Sequence, residues 1–252
     1  MSRSIRLLFD SFAEDPLLDT AISRAILLGV DDGSEPETMR IHRPGNVVAF
    51  GRQDSVSPGY RAAVSAARLH GFEPVERLAG GRAAIFHDQT IAFAWAIPDR
   101  APKEGITDRF VEICGIIVTA LKAIGVDAAI GEVPGEYCPG RYSVHARGER
   151  KLVGTGQRLT RRAAHVGGVI VVDGRQRVND ILTPIYRALD VGWRADATGD
   201  VRSEVPSASW EGVRGALVAA FRERYTLERG TLGDTTLNRA ADLAPEHRPR
   251  VA

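Results

Sequence analysis

Cys138 and Lys151 are the two side chains in this sequence whose types and setting invite covalent chemistry. The thiol sits in a Cys-Pro-Gly turn within Glu136-Tyr137-Cys138-Pro139-Gly140-Arg141-Tyr142, and the lysine opens Lys151-Leu152-Val153-Gly154-Thr155-Gly156-Gln157-Arg158. Between them, Tyr142 to His145 and Leu152 to Val153 have strand-like composition, and Arg147-Gly148 supplies a turn in which glycine accepts a positive φ. A hairpin here predicts that Cys138 and Lys151 approach the same end of a sheet. An ammonium beside a thiol lowers its pKa, and the thiolate is the nucleophile. The plainer readings are an incidental loop cysteine and an ordinary surface lysine.

The surrounding elements must hold this pair. Ile5 to Phe9 is a short apolar run, and Asp15-Pro16 gives an N-cap and a first-turn proline for a helix from Pro16 to about Gly29. After a polar loop, Asp31 to Pro36, strands are expected at Met39 to His42 and Val47 to Phe50, joined through Pro44-Gly45. Tyr60 to His70 is alanine-rich and stops at Gly71. Three apolar runs between Glu73 and Pro98 predict strands in the middle of a sheet. Phe110, Cys114, Ile117, Leu121 and Ile124 fall on one stripe of a helix ending at Gly125, which makes Cys114 a buried structural thiol. Val166 to Asp173 reads as a strand with Gly167-Gly168 inside it, and Asn179 to Leu189 and Ser209 to Tyr225 read as helices. Charged and small residues from Gly230 to Ala252 predict a flexible tail after a single domain over residues 1–229. Strands and helices mix without a regular βαβ rhythm, so the fold class is α/β of the mixed α+β kind.

Composition narrows the function. With 252 residues and 44% hydrophobic content the chain can bury one large core. Thirty-three Lys+Arg against 32 Asp+Glu leave a net charge of +1, so neither a nucleic acid nor an anionic membrane is an expected partner. No apolar run approaches the roughly 18 residues of a spanning helix. Met1-Ser2-Arg3-Ser4-Ile5 lacks the apolar stretch of a signal peptide, and two cysteines make no disulfide framework, so a cytoplasmic location is expected. No His/Cys/Asp/Glu cluster has metal-ligand spacing, and no metal site is expected.

The run Tyr137-Cys138-Pro139-Gly140-x-Tyr142, followed by Lys151-x-x-Gly154-x-x-Gln157-Arg158, resembles the biotin/lipoate protein ligase and octanoyltransferase superfamily. It is most similar to the cysteine-dependent octanoyl amidotransferases. A second stretch, Glu76 to Asp88, carries Arg77, Gly80-Gly81 and His87-Asp88, as lipoate ligases and octanoyltransferases do, with Arg82 where ligases commonly have a third glycine or a small apolar residue. Glycines there let backbone lie against an acyl chain or an acyl-adenylate. The resemblance covers roughly Asp10 to Tyr186. It implies a ligase-type catalytic domain with a mixed central sheet flanked by helices. It also implies Cys138 and Lys151 as catalytic residues, and Arg77, Gly80, Gly81, Arg82, His87, Gly154, Thr155, Gly156 and Gln157 as substrate-binding ones.

Three activities follow from that resemblance. An acyltransferase would form a Cys138 thioester with an octanoyl or lipoyl group and release it to a lysine of a lipoyl domain, with Lys151 steadying the developing carbonyl charge and no cofactor. Its partners would be lipoyl domains and the glycine cleavage H protein, or acyl carrier protein as donor. A lipoate ligase would instead use ATP and Mg and hold an acyl-adenylate. Ligases of the family carry an accessory C-terminal domain, and the residues after Tyr186 promise two helices at most. A non-catalytic carrier-binding homologue is the third reading. His87 could orient groups or exchange protons, or equally be a satisfied structural histidine, and His145 and His165 could assist Cys138 if the hairpin turns them inward. Arg158, Arg161 and Arg162 are either a solvated patch or a dock for an acidic carrier.

Overall fold

The structure is a computed structural model that describes residues 3–251. Met1, Ser2 and Ala252, which the expected domain and tail include, lie outside the described residues. The elements begin with β1 (Ser4–Leu8), α1 (Pro16–Asp32), β2 (Thr38–His42), β3 (Val47–Phe50), α2 (Arg52–Ser55), α3 (Tyr60–Leu69), β4 (Glu73–Glu76), β5 (Ala84–Phe86) and β6 (Thr90–Pro98). They continue with α4 (Ile106–Ala123), β7 (Ala128–Ile130), β8 (Val144–Ala146), β9 (Arg150–Leu159), β10 (Ala163–Val171), α5 (Arg175–Ala188), α6 (Val201–Glu204), α7 (Trp210–Arg222), β11 (Thr226–Arg229) and α8 (Asp234–Leu243).

Eight strands form one mixed sheet in the order β11-β1-β2-β6-β10-β9-β8-β7, and β4-β3-β5 form a second. Strand β6 shows why the large sheet has two unlike faces. Its residues alternate large and small, and alternation along a strand sends them to opposite sides. Ile91, Phe93, Trp95 and Ile97 pack into one core with Ile113 and Ile117 of α4 and Leu217 and Phe221 of α7. Ala92, Ala94 and Ala96 face the other way. Across the ladder Ala94 pairs with Gly167 and Gly167 with Gly156, so this face is a floor of small residues. The second sheet lies over it, presenting Val47, Ala49 and Val75, with Leu17 of α1 beside them. Helices α3 and α5 cover the outer side of the second sheet.

Several expectations meet the structure with adjustments. Asp15 caps α1, its carboxylate accepting from the Leu18 N–H, and the helix runs through Gly29 to a left-handed cap at Gly33. The strands flanking Pro44-Gly45 form as expected but part company there, β2 into the large sheet and β3 into the small one. Of the three apolar runs before Pro98, only β6 is central to the large sheet, while β4 and β5 flank β3. Tyr142 and Ser143 lie in a turn rather than a strand, Tyr142 being drawn off to stack on Phe110 at 4.7 Å.

The segment expected as a tail carries α8, which packs on α1 through Ala240 and Leu237 and through an Arg239–Asp32 ion pair. Beyond it the His247 ring bonds the Glu76 carbonyl at 2.7 Å, and the Arg250 N–H donates to the Glu76 carboxylate at 2.9 Å. Composition alone hides this, because α8 buries only a narrow small-residue stripe. With α6 and α7, it also exceeds the two helices expected after Tyr186.

Candidate active site

The predicted hairpin forms from β8 and β9, with His145 opposite Lys151 and a turn at Arg147 (φ 50°) and Gly148 (φ 74°). Lys151 is 1% exposed, so it is no surface lysine. Its three N–H groups have three acceptors: Glu136 Oε1 at 3.0 Å, the Tyr137 carbonyl at 3.0 Å and the Cys138 carbonyl at 2.7 Å. Glu136 is buried as well. Its carboxylate also accepts from Ser143 Oγ and from the N–H groups of Val133 and Gly140. The loop carrying Cys138 is therefore folded around one ion pair, and it holds Cys138 at φ 43°, a left-handed conformation uncommon for a residue with a Cβ.

Two further contacts fix the cysteine. Its N–H donates to the Tyr186 hydroxyl at 2.8 Å, and that hydroxyl donates to the Ala83 carbonyl at 3.1 Å. Its Sγ accepts from Arg77 Nη2 and from the Arg82 backbone N–H, each at 3.3 Å. Burial pushes the thiol pKa up, but the charges of Arg77 and Lys151 and these two hydrogen bonds outweigh it, leaving the pKa below its ordinary value. Gly81 makes the approach possible. At φ 103° it occupies a conformation that favours glycine, and a Cβ there would stand 2.2 Å from Arg77 Nη2 and 2.9 Å from Cys138 Sγ.

Cys138 borders a partly open cavity of about 130 Å³ between the two sheets. Its floor is the small-residue face, with Gly154, Gly156, Gly167, Ala92 and Ala94, and its roof includes Val47, Ala49, Val75 and Phe86. A slot with this lining suits a narrow apolar group whose reactive end lies at the thiol.

Residues 15–227 match the lipoyl protein ligase A/B catalytic domain. The chain belongs to that family. Among curated relatives, the octanoyl-GcvH:protein N-octanoyltransferase of Geobacillus kaustophilus is 27% identical over 163 residues, covering 63% of this chain and 57% of that one. The counterpart from Exiguobacterium sibiricum is 33% identical over 129 residues, covering 50% and 46%. Octanoyltransferase LipM of Moorella thermoacetica is 28% identical over 186 residues, covering 66% and 63%. The alignments thus span about half to two thirds of the relatives' lengths. A lipoate-protein ligase A solved with ATP superposes with a TM-score of 0.77 at 18% identity, over 98% of this chain and 95% of that one. Ta0514 of T. acidophilum, solved with lipoic acid, gives 0.76 at 20% identity over 98% and 96%. These two share the lipoyl ligase fold expected from the resemblance.

The family motifs do not all converge on the thiol. Arg77, the Arg82 amide, Gly81, Gly154, Thr155 and Gly156 gather around Cys138, Lys151 and the cavity, with Gly80 in the loop above Gly156. The Arg82 side chain turns away to Asp54, a buried carboxylate that also accepts from the Gly51 N–H. Gln157 is tied to the α4 end, accepting from Arg109 and donating to the Ile106 carbonyl. His87 is buried in the β5–β6 turn, where Nδ1 accepts from the Gln89 N–H and burial pushes its pKa down to about 4; it does not line the cavity. His145 caps the hairpin turn through the Gly148 N–H. His165 does line the cavity. Sequence reading missed Glu136, Tyr186 and Asp54, and also the cavity residues Asp19 and His42. Glu136 had only its adjacency to Cys138 to mark it; the others lie far away in sequence and carry no motif.

Proposed function

We propose that this protein is an acyltransferase that carries an octanoyl or lipoyl group on Cys138 and delivers it to a lysine of a lipoyl carrier domain. The observation that carries this reading is a thiol with a lowered pKa, held by Arg77 and the Arg82 amide at the end of an apolar cavity. The curated relatives' names point the same way. The Cys138 thiolate attacks the donor carbonyl, and the tetrahedral intermediate collapses by expelling the donor's thiolate, or its amine once that nitrogen has taken a proton from solvent. The neutral amine of the acceptor lysine then attacks the thioester, the Cys138 thiolate leaves and the amine's proton passes to solvent.

The sequence suggested that Lys151 steadies the carbonyl oxygen. With all three of its N–H groups engaged, the role it better fits is to pin the Cys138 loop and add positive charge beneath the thiol. The Arg82 amide, already directed at Sγ, is the donor best placed for the oxygen that forms beside it.

On this reading the glycine cleavage H protein, or an acyl carrier protein, is the donor and lipoyl domains are acceptors, in the cytoplasm. No helix among the described residues is long and apolar enough to cross a membrane. The transfer requires no cofactor, since the donor bond supplies the driving force. ATP and Mg belong to the ligase alternative. Incubation with octanoylated H protein and apo lipoyl domain tests the choice. Transfer without ATP is expected, and strict dependence on ATP with free octanoate would overturn the proposal.

A further inference from the structure

The cavity runs sideways across the large sheet, and its far end is built from different chemistry than its floor. In register, Gly154 pairs with Val169, Val169 with Ala92, and Ala92 with His42. The thiol lies at the β9 side, where Lys151 borders the same cavity, and His42 lies three strands away. At about 4.8 Å per strand this is roughly 14 Å. The span is close to what a thioester-bound, extended eight-carbon chain would fill.

The end wall is His42 with Asp19, Thr20 and Ser23 of α1, and the first two are bonded to each other. His42 Nε2 and Asp19 Oδ2 are 2.8 Å apart. Arg40, fully buried, pairs with Asp19 Oδ1 and donates to the Asp19 carbonyl at 2.9 Å, while the Phe12 N–H donates to the same carboxylate at 3.0 Å. Burial and the neighbouring Arg40 keep His42 below its ordinary pKa, so the neutral ring donates from Nε2; Nδ1 is buried and has no partner among the described residues. An aliphatic wall can yield by rotamer changes, but this one is locked by hydrogen bonds that a displaced side chain would leave unmade.

We infer that His42, braced by Asp19 and Arg40, is the end stop that limits acyl-chain length. The inference rests on the proposed acyl chemistry, and it assigns the limit to β2 rather than to His165, which borders the cavity only one strand from β9.

The test is the rate at which Cys138 is acylated by hexanoyl, octanoyl, decanoyl and dodecanoyl pantetheine thioesters, read by intact mass. Here the thiolate displaces the pantetheine thiolate at the carbonyl. The native protein should drop sharply beyond octanoyl. His42→Ala should improve decanoyl relative to octanoyl, by on the order of 15-fold if both extra methylenes become buried at about 0.8 kcal/mol each. Ala92→Leu, which fills the space beside His42, should move the preference towards hexanoyl. Calorimetric binding of the free C6 to C12 fatty acids reads the same limit without any chemistry at Cys138, so loss of acylation with all donors would count against the transferase reading alone. An unchanged chain-length profile in folded His42→Ala, or in Ala92→Leu, or a shift produced by His165→Ala instead, would overturn the assignment.

Discussion

Lys151 and Cys138 meet through the main chain: the ammonium lies 2.7 Å from the Cys138 carbonyl oxygen, while the sulfur is held by Arg77 and the Arg82 amide. The lysine therefore acts on where the thiol sits and on the field around it. Removing it disturbs both, and also strands the buried Glu136 carboxylate.

Lys151→Met should slow Cys138 acylation by roughly 10²-fold, the cost of a misplaced reacting group, and, because breaking a buried pair leaves a lone charge, destabilise the fold by about 3–5 kcal/mol. Adding Glu136→Gln should recover part of the stability but not the rate. Single-turnover mass spectrometry and denaturant unfolding separate the two effects. A near-native acylation rate in Lys151→Met would contradict this account of the loop.

The two cysteines should differ in reactivity. Burial pushes the Cys114 thiol up to about 11, whereas that of Cys138 is lowered. Alkylation by iodoacetamide should reach Cys138 alone, with a rate that rises with pH through a midpoint below the ordinary value of about 8.5. Arg77 stabilises the thiolate, so Arg77→Met should move that midpoint upward. An unmoved midpoint would show that Arg77 does not set the thiol's acidity. Cys138→Ala should abolish both the acyl adduct and transfer, and Cys114→Ala should leave them intact.

Gly81→Ala puts a Cβ into Arg77 and Cys138 from a backbone conformation that disfavours it. Acylation should fall at least as far as in Arg77→Met, with unfolding nearly cooperative and native-like, because the strain is confined to a loop. Native activity in this variant would mean that the loop relaxes freely and that its contact with the thiol is incidental.

Acid should weaken the fold through its buried histidines. Burial holds His165 down to about 4, while an unfolded chain returns it to about 6.5. Above 6.5 both states are neutral there. Between 6.5 and 4 only the unfolded state takes the proton, so stability falls as pH drops, by roughly 3 kcal/mol for His165 when the window is crossed. His42 and His87 act in the same direction. Thermal unfolding across this window should show a shallower pH dependence in His165→Gln than in the native protein, and equal slopes would refute it.

Much of this was legible in sequence because the signals are local. Asp15-Pro16, Gly71 and Gly125 mark helix ends by their own backbone preferences, and the Cys138–Lys151 hairpin is announced by Arg147-Gly148. What stayed hidden depends on partners distant along the chain. Nothing around Pro44 tells that β2 and β3 enter different sheets, and nothing near Asp19 tells that it closes a cavity with His42. The motif Lys-x-x-Gly-x-x-Gln located Gln157, but strand alternation and the nearby Arg109 decide that its amide serves the α4 end rather than the cavity.

The bonds from His247 and Arg250 to Glu76 fall on the residue immediately before Arg77. The last turns of the described chain are thus clipped to the strand end from which the thiol's guanidinium partner is presented. For anyone producing this protein, trimming back to Arg229 removes the bonds that hold the residue before Arg77, even though the trimmed residues are remote from it in sequence. A weakly active preparation trimmed in that way would say little about the intact protein.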